Sequence, residues 1–365
     1  MNVRLLLTGP ILGLLVGAGQ SYGAQGPGFD DAATPGTEAL RRGSYREAER
    51  YYQDAWNEAE ANGAPATARA SILSALAQVL LNEGRFTDSE RVFNRALEIT
   101  EGEVVDPRVR PVLFSNLGSL YTETDRYDRA ESLLKEALAS GNKQFGADSV
   151  FVAGVLKNLG IVYSATGRIK PAESSLKKAL AIMEKQAASY PEDFTSILSS
   201  LAAVYTVRKQ WTKAEPLLQR SIDILERSFG PDHAGIAAAL GNLGQLYFLQ
   251  NKFGQAETAL RRAMNIRQKA FGPDNISVAL VSWRLAGILM AEHKYTEAHT
   301  LFLSSLPVQE RVLGPMSPVL ASTLEQFAQL LRQMSNPSQA DTVEARARNI
   351  RFELMSTIPA DKLGR

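Results

Sequence analysis

Leu240-Gly-Asn-Leu-Gly-Gln-Leu-Tyr247, followed by Phe253-Gly-Gln-Ala256-Glu257 and then Ala263, decides the architecture of this chain. Leu240, Leu243, Leu246 and Tyr247 recur every three to four residues, the spacing of one helix face. Asn251 supplies a turn, and a second helical pattern begins at Phe253. Gly244, Ala256 and Ala263 interrupt these large residues with the smallest side chains available. Two amphipathic helices that cross closely need such residues, because at an axis separation of about 8–10 Å nothing larger fits between them.

Working outward, the motif of an aromatic or large apolar residue, two residues, a small residue and usually an acid recurs through the chain. Tyr45-Arg-Glu-Ala48-Glu49, Phe86-Thr-Asp-Ser89-Glu90, Tyr127-Asp-Arg-Ala130-Glu131 and Ile169-Lys-Pro-Ala172-Glu173 precede the deciding stretch. Trp211-Thr-Lys-Ala214-Glu215 leads into it; Tyr295-Thr-Glu-Ala298-His299 and the degraded Pro337-Ser-Gln-Ala340-Asp341 follow it. The small residue advances in steps of 41, 41, 42, 42, 42, 42 and 42. A second column reads Ala55, Ala96, Ala137, Ala179, Ser221, Ala263, Ser305 and Ala347; a third reads Ala77, Gly118, Gly160, Ala202, Gly244, Ala286 and Ala328. The chain holds 48 Ala, 28 Ser and 27 Gly in 365 residues, so chance would fill all three columns with a probability on the order of 10⁻¹³. The period predicts an all-α array of helix pairs, for instance about 110–124 and 127–145. Asp125, Gly167, Lys209, Asn251 and Gly84 fall in the turn inside each pair. Phe229-Gly-Pro-Asp232 and Phe271-Gly-Pro-Asp274 read as a stop and restart between pairs: glycine as a left-handed cap, Pro blocking continuation and Asp capping the next helix.

Lys and Arg total 40 against 39 Asp and Glu, a net charge of +1 that leaves no basic excess for nucleic acid. The absence of Cys excludes disulfides, thiolate metal sites and Cys nucleophiles. Arg4, the apolar run Leu5–Val16 and the small residues up to Ala24 have the order of a secretory signal peptide, with cleavage after Gly23 or Ser21. That run falls short of the ~20 residues that span a bilayer, and the competing reading, an uncleaved anchor, is weakened by Gly9, Pro10 and Gly13. The expected organisation is a signal peptide over 1–23, a flexible linker over 24–36, the array over 37–356 and a tail over 357–365. Export to the periplasm or beyond the cell, without membrane insertion after cleavage, follows from it.

Leu113-Phe-Ser-Asn-Leu-Gly-Ser-Leu-Tyr121 with Ala130 and Ala137, and its counterpart from Leu240 to Ala263, resemble tetratricopeptide repeats. With the 42-residue period and the Phe-Gly-Pro-Asp linker, they resemble the kinesin-light-chain-type subclass. The resemblance implies a right-handed superhelical solenoid whose first helices line a concave groove for peptides or proteins. It departs at both ends: Pro35-Gly36 stands where the first helix of the first copy should be established, implying a truncated copy before about seven full ones. Pro337 replaces the aromatic of the last copy, whose polar second helix suits the cap that repeat arrays require.

The same resemblance places one first-helix column, Ala75, Asn116, Asn158, Ser200, Asn242, Arg284 and Gln326, on the groove. It implies that Asn116, Asn158 and Asn242 hold a peptide backbone, an amide having both a donor and an acceptor. The competing reading has them bonding within the stack. Ser115, Ser119, Lys157, Ser199, Gln245 and Trp283 are the neighbouring groove candidates. Charges along the groove are few, which disfavours a clamp of clustered Lys and Arg for carboxylates and favours sequence-tolerant recognition of an extended backbone. His293 and His299 lie six apart across a turn and cannot act as an i, i+4 zinc pair. Ser174-Ser-Leu-Lys177 matches one penicillin-binding motif without its companions and falls on an ordinary second helix. No motif calls for a cofactor, a metal or a catalytic residue. The functional expectation is a non-catalytic protein- or peptide-binding scaffold. Its rivals are a structural subunit of a cell-envelope or secretion assembly, using the convex face or the array ends, and an enzyme.

Overall fold

The computed structural model describes residues 35–41 and 44–356, so the expected signal peptide, most of the linker and the C-terminal tail lie outside the described residues. Among the described residues there are sixteen α-helices and no strand. The chain divides between Val204 and Tyr205 into two compact units. The first contains α1 (Pro35–Arg41), α2 (Tyr45–Ala61), α3 (Ala66–Asn82), α4 (Phe86–Gly102), α5 (Val109–Glu123), α6 (Tyr127–Phe145), α7 (Val150–Ala165), α8 (Ile169–Met183) and the start of α9 (Pro191–Val207). The second contains the end of α9, α10 (Trp211–Phe229), α11 (Ala234–Leu249), α12 (Phe253–Phe271), α13 (Ile276–Ala291), α14 (Tyr295–Leu313), α15 (Pro318–Gln333) and α16 (Pro337–Ser356).

Within each unit, helices pack as successive antiparallel neighbours, odd-numbered first helix against even-numbered second helix. The two kinds bury different amounts. First helix α7 buries residues nearly all round, from Phe151 to Val162. Second helix α8 buries one stripe, Ala172, Leu176, Ala179, Ile182 and Met183. A helix flanked on both sides must be apolar on both, whereas one with a solvent face needs a single stripe. First helices also touch the next first helix, α3 with α5, α5 with α7 and α13 with α15, while among the described residues no successive second helices approach as closely. The first helices therefore line the inner face of each unit.

The small columns lie where the helices cross. Ala48, Ser89, Ala130, Ala172, Ala214, Ala256, Ala298 and Ala340 all have zero exposure. A Cβ added to Gly160 would stand 2.6 Å from Leu176 Cγ, and one added to Gly244 would stand 2.9 Å from Leu260 Cγ. In both, the leucine four residues beyond the first-column alanine fills the space that the glycine vacates.

The turn inside each hairpin is left-handed. Asp125, Lys209, Asn251, His293 and Ser335 take φ of 56 to 62°, the place occupied by Gly84 and Gly167 in other copies. For Lys209 this costs about 1 kcal/mol, because its Cβ crowds the carbonyl oxygen. Lys209→Gly should therefore raise stability by up to that amount in urea denaturation, and Asn251→Gly by less, since Asn tolerates this region. A loss on Lys209→Gly would contradict the turn geometry.

The joints between copies differ from the sequence expectation in two respects. Gly230 and Gly272 have φ of 87 and 79° with ψ of 169 and 163°, an extended conformation open essentially to glycine alone rather than a left-handed helical cap. The next helix is capped one residue after the expected Asp. Ser149, His233, Asn275 and Ser317 accept from backbone N–H groups of α7, α11, α13 and α15. Asp232 instead pairs with Lys269 at 3.0 Å. His233 Nδ1 accepts from the Gly235 N–H at 3.3 Å, and burial lowers the pKa of the ring.

The acid after the first-column residue reaches the following copy. Arg85 meets Glu49 at 2.6 Å, Arg126 meets Glu90 at 2.8 Å, Arg168 meets Glu131 at 2.6 Å and Lys294 meets Glu257 at 2.7 Å. Arg168 holds Glu131 down to about 2, and Lys294 does the same for Glu257. Half-exposed pairs of this kind contribute little each, so they set the register of neighbouring copies more than they stabilise.

At the N-terminal end α1 has seven residues, less than half the length of α3. It begins at Pro35, two residues inside the expected linker, where a missing N–H costs nothing. Thr37 hydrogen-bonds Tyr52 at 3.0 Å and anchors it. At the other end α16 buries only Ala340, Ala347 and Ile350.

Candidate functional site

In the first unit the inner face carries Ser115, Asn116, Ser119, Lys157, Asn158, Ser199 and Ser200. Asn116 is buried, and its Nδ2 donates to Ser74 Oγ at 3.2 Å, joining α5 to α3. Asn158 Nδ2 donates to Ser119 Oγ at 2.9 Å, joining α7 to α5, while Ser119 Oγ donates to the Ser115 carbonyl at 3.0 Å. The amide donors of these two Asn are thus engaged along the stack, Asn116 buried and Asn158 half-buried. Ser200 is buried and donates to the Ser196 carbonyl at 2.9 Å; Ser199 is half-buried. Lys157 is buried with no hydrogen bond or ion pair to a described residue, and burial lowers its pKa against the attraction of Asp193 on α9. Burial likewise raises the Asp193 carboxyl, with Lys157 opposing.

In the second unit the inner face is less occupied by its own bonds. Asn242 on α11 is half-buried and makes no hydrogen bond to a described residue. Gln245 on α11, Trp283 and Arg284 on α13 and Gln326 on α15 come together around a cavity of about 40 Å³ floored by Gly241 and Gly287. Gln245 Nε2, Trp283 Nε1 and Arg284 Nη1 are buried there without a hydrogen-bond partner. Burial, with the neighbouring charge of Arg267 from α12, lowers Arg284 to about 10. Buried polar atoms are nearly always bonded, so three unpaired donors around one cavity are chemically unspent. Gly241, Gly287 and Arg267 escaped the sequence reading. The available signal was the column Ser119, Ile161, Ala203, Gln245, Gly287 and Gln329, in which one copy gives up its side chain.

The remaining candidates are held locally. His293 Nδ1 contacts Tyr295 Oη at 2.7 Å, and the His299 ring lies tilted against that of Phe327, 5.4 Å between centroids. Lys177 pairs with Glu173 at 2.7 Å. No described helix is long and apolar enough to cross a membrane.

A family model described as tetratricopeptide repeat matches residues 110–185, 193–269 and 277–351, more than half of the chain. No curated protein matches it in sequence. Among solved structures it is similar to a Rap protein complexed with competence and sporulation factor, at TM-score 0.60 and 15% identity over 90% of this chain and 99% of that one. It is similar to the apo form of the quorum sensor NprR from B. thuringiensis, at TM-score 0.55 and 13% identity over 88% of this chain and 99% of that one. It is also similar to BtubC (BKLC) from P. vanneervenii, at TM-score 0.55 and 18% identity over 64% of this chain and 94% of that one. Hairpins closed by small-residue columns, a 42-residue period and the match to three successive segments lead to one conclusion: the chain belongs to the tetratricopeptide repeat family.

Proposed function

We propose that this protein is a non-catalytic scaffold, exported from the cytoplasm, that binds an extended segment of a partner polypeptide along the inner face of its first helices. The observation that carries the reading is the set of unbonded polar groups on that face, Asn242, Gln245, Trp283 and Arg284. An extended chain brings the alternating donors and acceptors that such groups lack. The crystal of a Rap protein with competence and sporulation factor lends it support, as a similar fold holding a partner. Export rests on the signal-peptide pattern of residues 1–23, and an isolated protein still beginning at Met1 would refute it.

A rival use of the outer surface, in an envelope or secretion assembly, has its own support in Phe271, 45% exposed at the end of α12. A phage display library of random dodecapeptides separates the two readings. Asn158→Ala with Asn242→Ala should weaken capture by the full chain, and Phe271→Ser should leave it intact. The opposite pattern would move the binding surface to the second helices.

A further inference from the structure

We infer that the last helix of the array, α16, docks against α16 of a second copy of this chain, antiparallel about a two-fold axis that passes between Arg348 and Asn349. The contact lies on the outward side of the final hairpin and uses no residue of the inner face, so it stands apart from the peptide-binding surface proposed above.

Two outward positions of α16 depart from the earlier copies. One column is acidic or an amide in all seven of them, from Glu60 to Glu310, and is Phe352 in the last. Its acids reach towards the following copy, Glu60 to Arg95, Glu226 to Arg262 and Glu310 to Arg346. A second column, seven residues earlier in each copy, is polar from Gln53 to Arg261, then Leu303, and Ala345 in the last. One position thus exchanges a polar side chain for a large apolar one, while the other shrinks to a methyl group. Both are exposed, Phe352 by 65%. The polar cap expected of this helix is broken by an apolar knob beside a gap.

Residues seven apart share one helix face about two turns from each other. Turned antiparallel about the point midway between them, a second α16 sets its Ala345 against Phe352 and its Phe352 against Ala345. A large side chain enters the gap left by a small one, twice, as Leu176 fills the space at Gly160 within a hairpin. Such self-complementarity is what a two-fold contact between identical chains requires. Other apolar groups flank it. Met355 on α16 is 57% exposed, and Val312 and Met316, at the end of neighbouring α14 and in the joint after it, are 51 and 43% exposed. With roughly 200 Å² to each large side chain, these four exposures leave about 400 Å² of apolar surface per copy, the scale of patches that mark an interaction site. Doubled by symmetry and taken as about 65% of a homodimer contact, this corresponds to a total of about 1,200 Å², the lower limit of a specific interface. Among the charges of this face, Asp341 is held by Arg332 at 2.9 Å, and Arg348 comes close to its own mate across the axis.

Analytical ultracentrifugation of the full chain tests this contact. Twice the mass of one chain should appear between about 1 and about 200 µM, where interfaces at the small end of the scale form and dissociate. Phe352→Glu, which returns the acid of Glu226 and Glu310, should weaken association about tenfold or more, and Ala345→Leu, which fills the gap, by a similar factor. Both positions are exposed, so at about 1 µM the two variants should melt with the parent. Salt should tighten the dimer by screening the two Arg348 from each other. The chain has no cysteine, so Asn349→Cys, beside the axis, should join two copies through a disulfide on mild oxidation. Ser338→Cys, near the start of α16, should not. A chain that stays monomeric throughout would overturn the proposal; a dimer appearing only in Ile358→Ser with Leu363→Ser would assign the patch to the segment after Ser356 instead. Open-ended association, or a dimer indifferent to Phe352→Glu and Ala345→Leu, would overturn it equally.

Discussion

Phe302→Ala is expected to destabilise the second unit by about 3–5 kcal/mol, the range for deleting a buried aromatic. Phe302 lies on α14 with zero exposure, its ring 5.4 Å from that of Phe327 on α15. It stands four residues after Ala298, where other copies place Leu134, Leu176, Leu218 and Leu260. Those leucines are all at most 2% exposed. Truncation removes the contact between two helices of different hairpins, and Ala286 and Ala298, already minimal, have no side chain to move into the void. Phe302→Leu restores the residue of those four copies and should cost much less. Urea denaturation gives the total, and amide hydrogen exchange in α13, α14 and α15 shows whether the loss is local. A cost below 1 kcal/mol would mean that the surroundings collapse onto the site and that the crossing is looser than described.

Ala256→Leu is the second large effect, an overpacking loss of roughly 1–3 kcal/mol. Ala256 has zero exposure, and its carbonyl oxygen lies 3.4 Å from where a Gly244 Cβ would be, so α11 and α12 touch almost backbone to backbone here. A leucine must push the helices apart or twist out of its rotamer. Gln255→Leu places the same side chain one position along on the exposed face. It should stay within about 0.5 kcal/mol of the parent, as surface changes usually do. Thermal melts of the two variants side by side are sufficient, and equal losses would show that the hairpin register is misassigned.

The contrast between these positions explains how much was legible in the sequence. Helix crossings admit only the smallest side chains, so Ala130, Gly160 and Ala256 leave a mark that survives wherever the surface varies. Turns leave a similar mark through Gly84 and Gly167, which identify Lys209 and Asn251 as their equivalents. The caps were missed because Asp232 and Asp274 are good capping residues by type. The extended glycine before them shifts the cap by one, onto a column of mixed chemistry: Ser149, His233, Asn275 and Ser317. Glu90 and Glu131 were visible as a recurring acid, but their partners, Arg126 and Arg168, stand 36 and 37 residues on and become apparent only when copies are stacked. The candidate site was legible in part. Gln245, Trp283, Arg284 and Gln326 followed from the family resemblance, yet their convergence depends on the side chain missing at Gly287. An empty position draws no attention in a sequence read for the groups it contains.

The links from Glu49, Glu90, Glu131 and Glu257 each run to the next hairpin and no further. The repeats so linked carry half of a lock on one side and half of a key on the other. Among these linked copies the chain can grow or shrink by whole 42-residue blocks while each acid still meets a base in its new neighbour. Its length is consequently the feature most easily altered by duplication, whereas an insertion of a few residues inside one block would misalign everything stacked upon it.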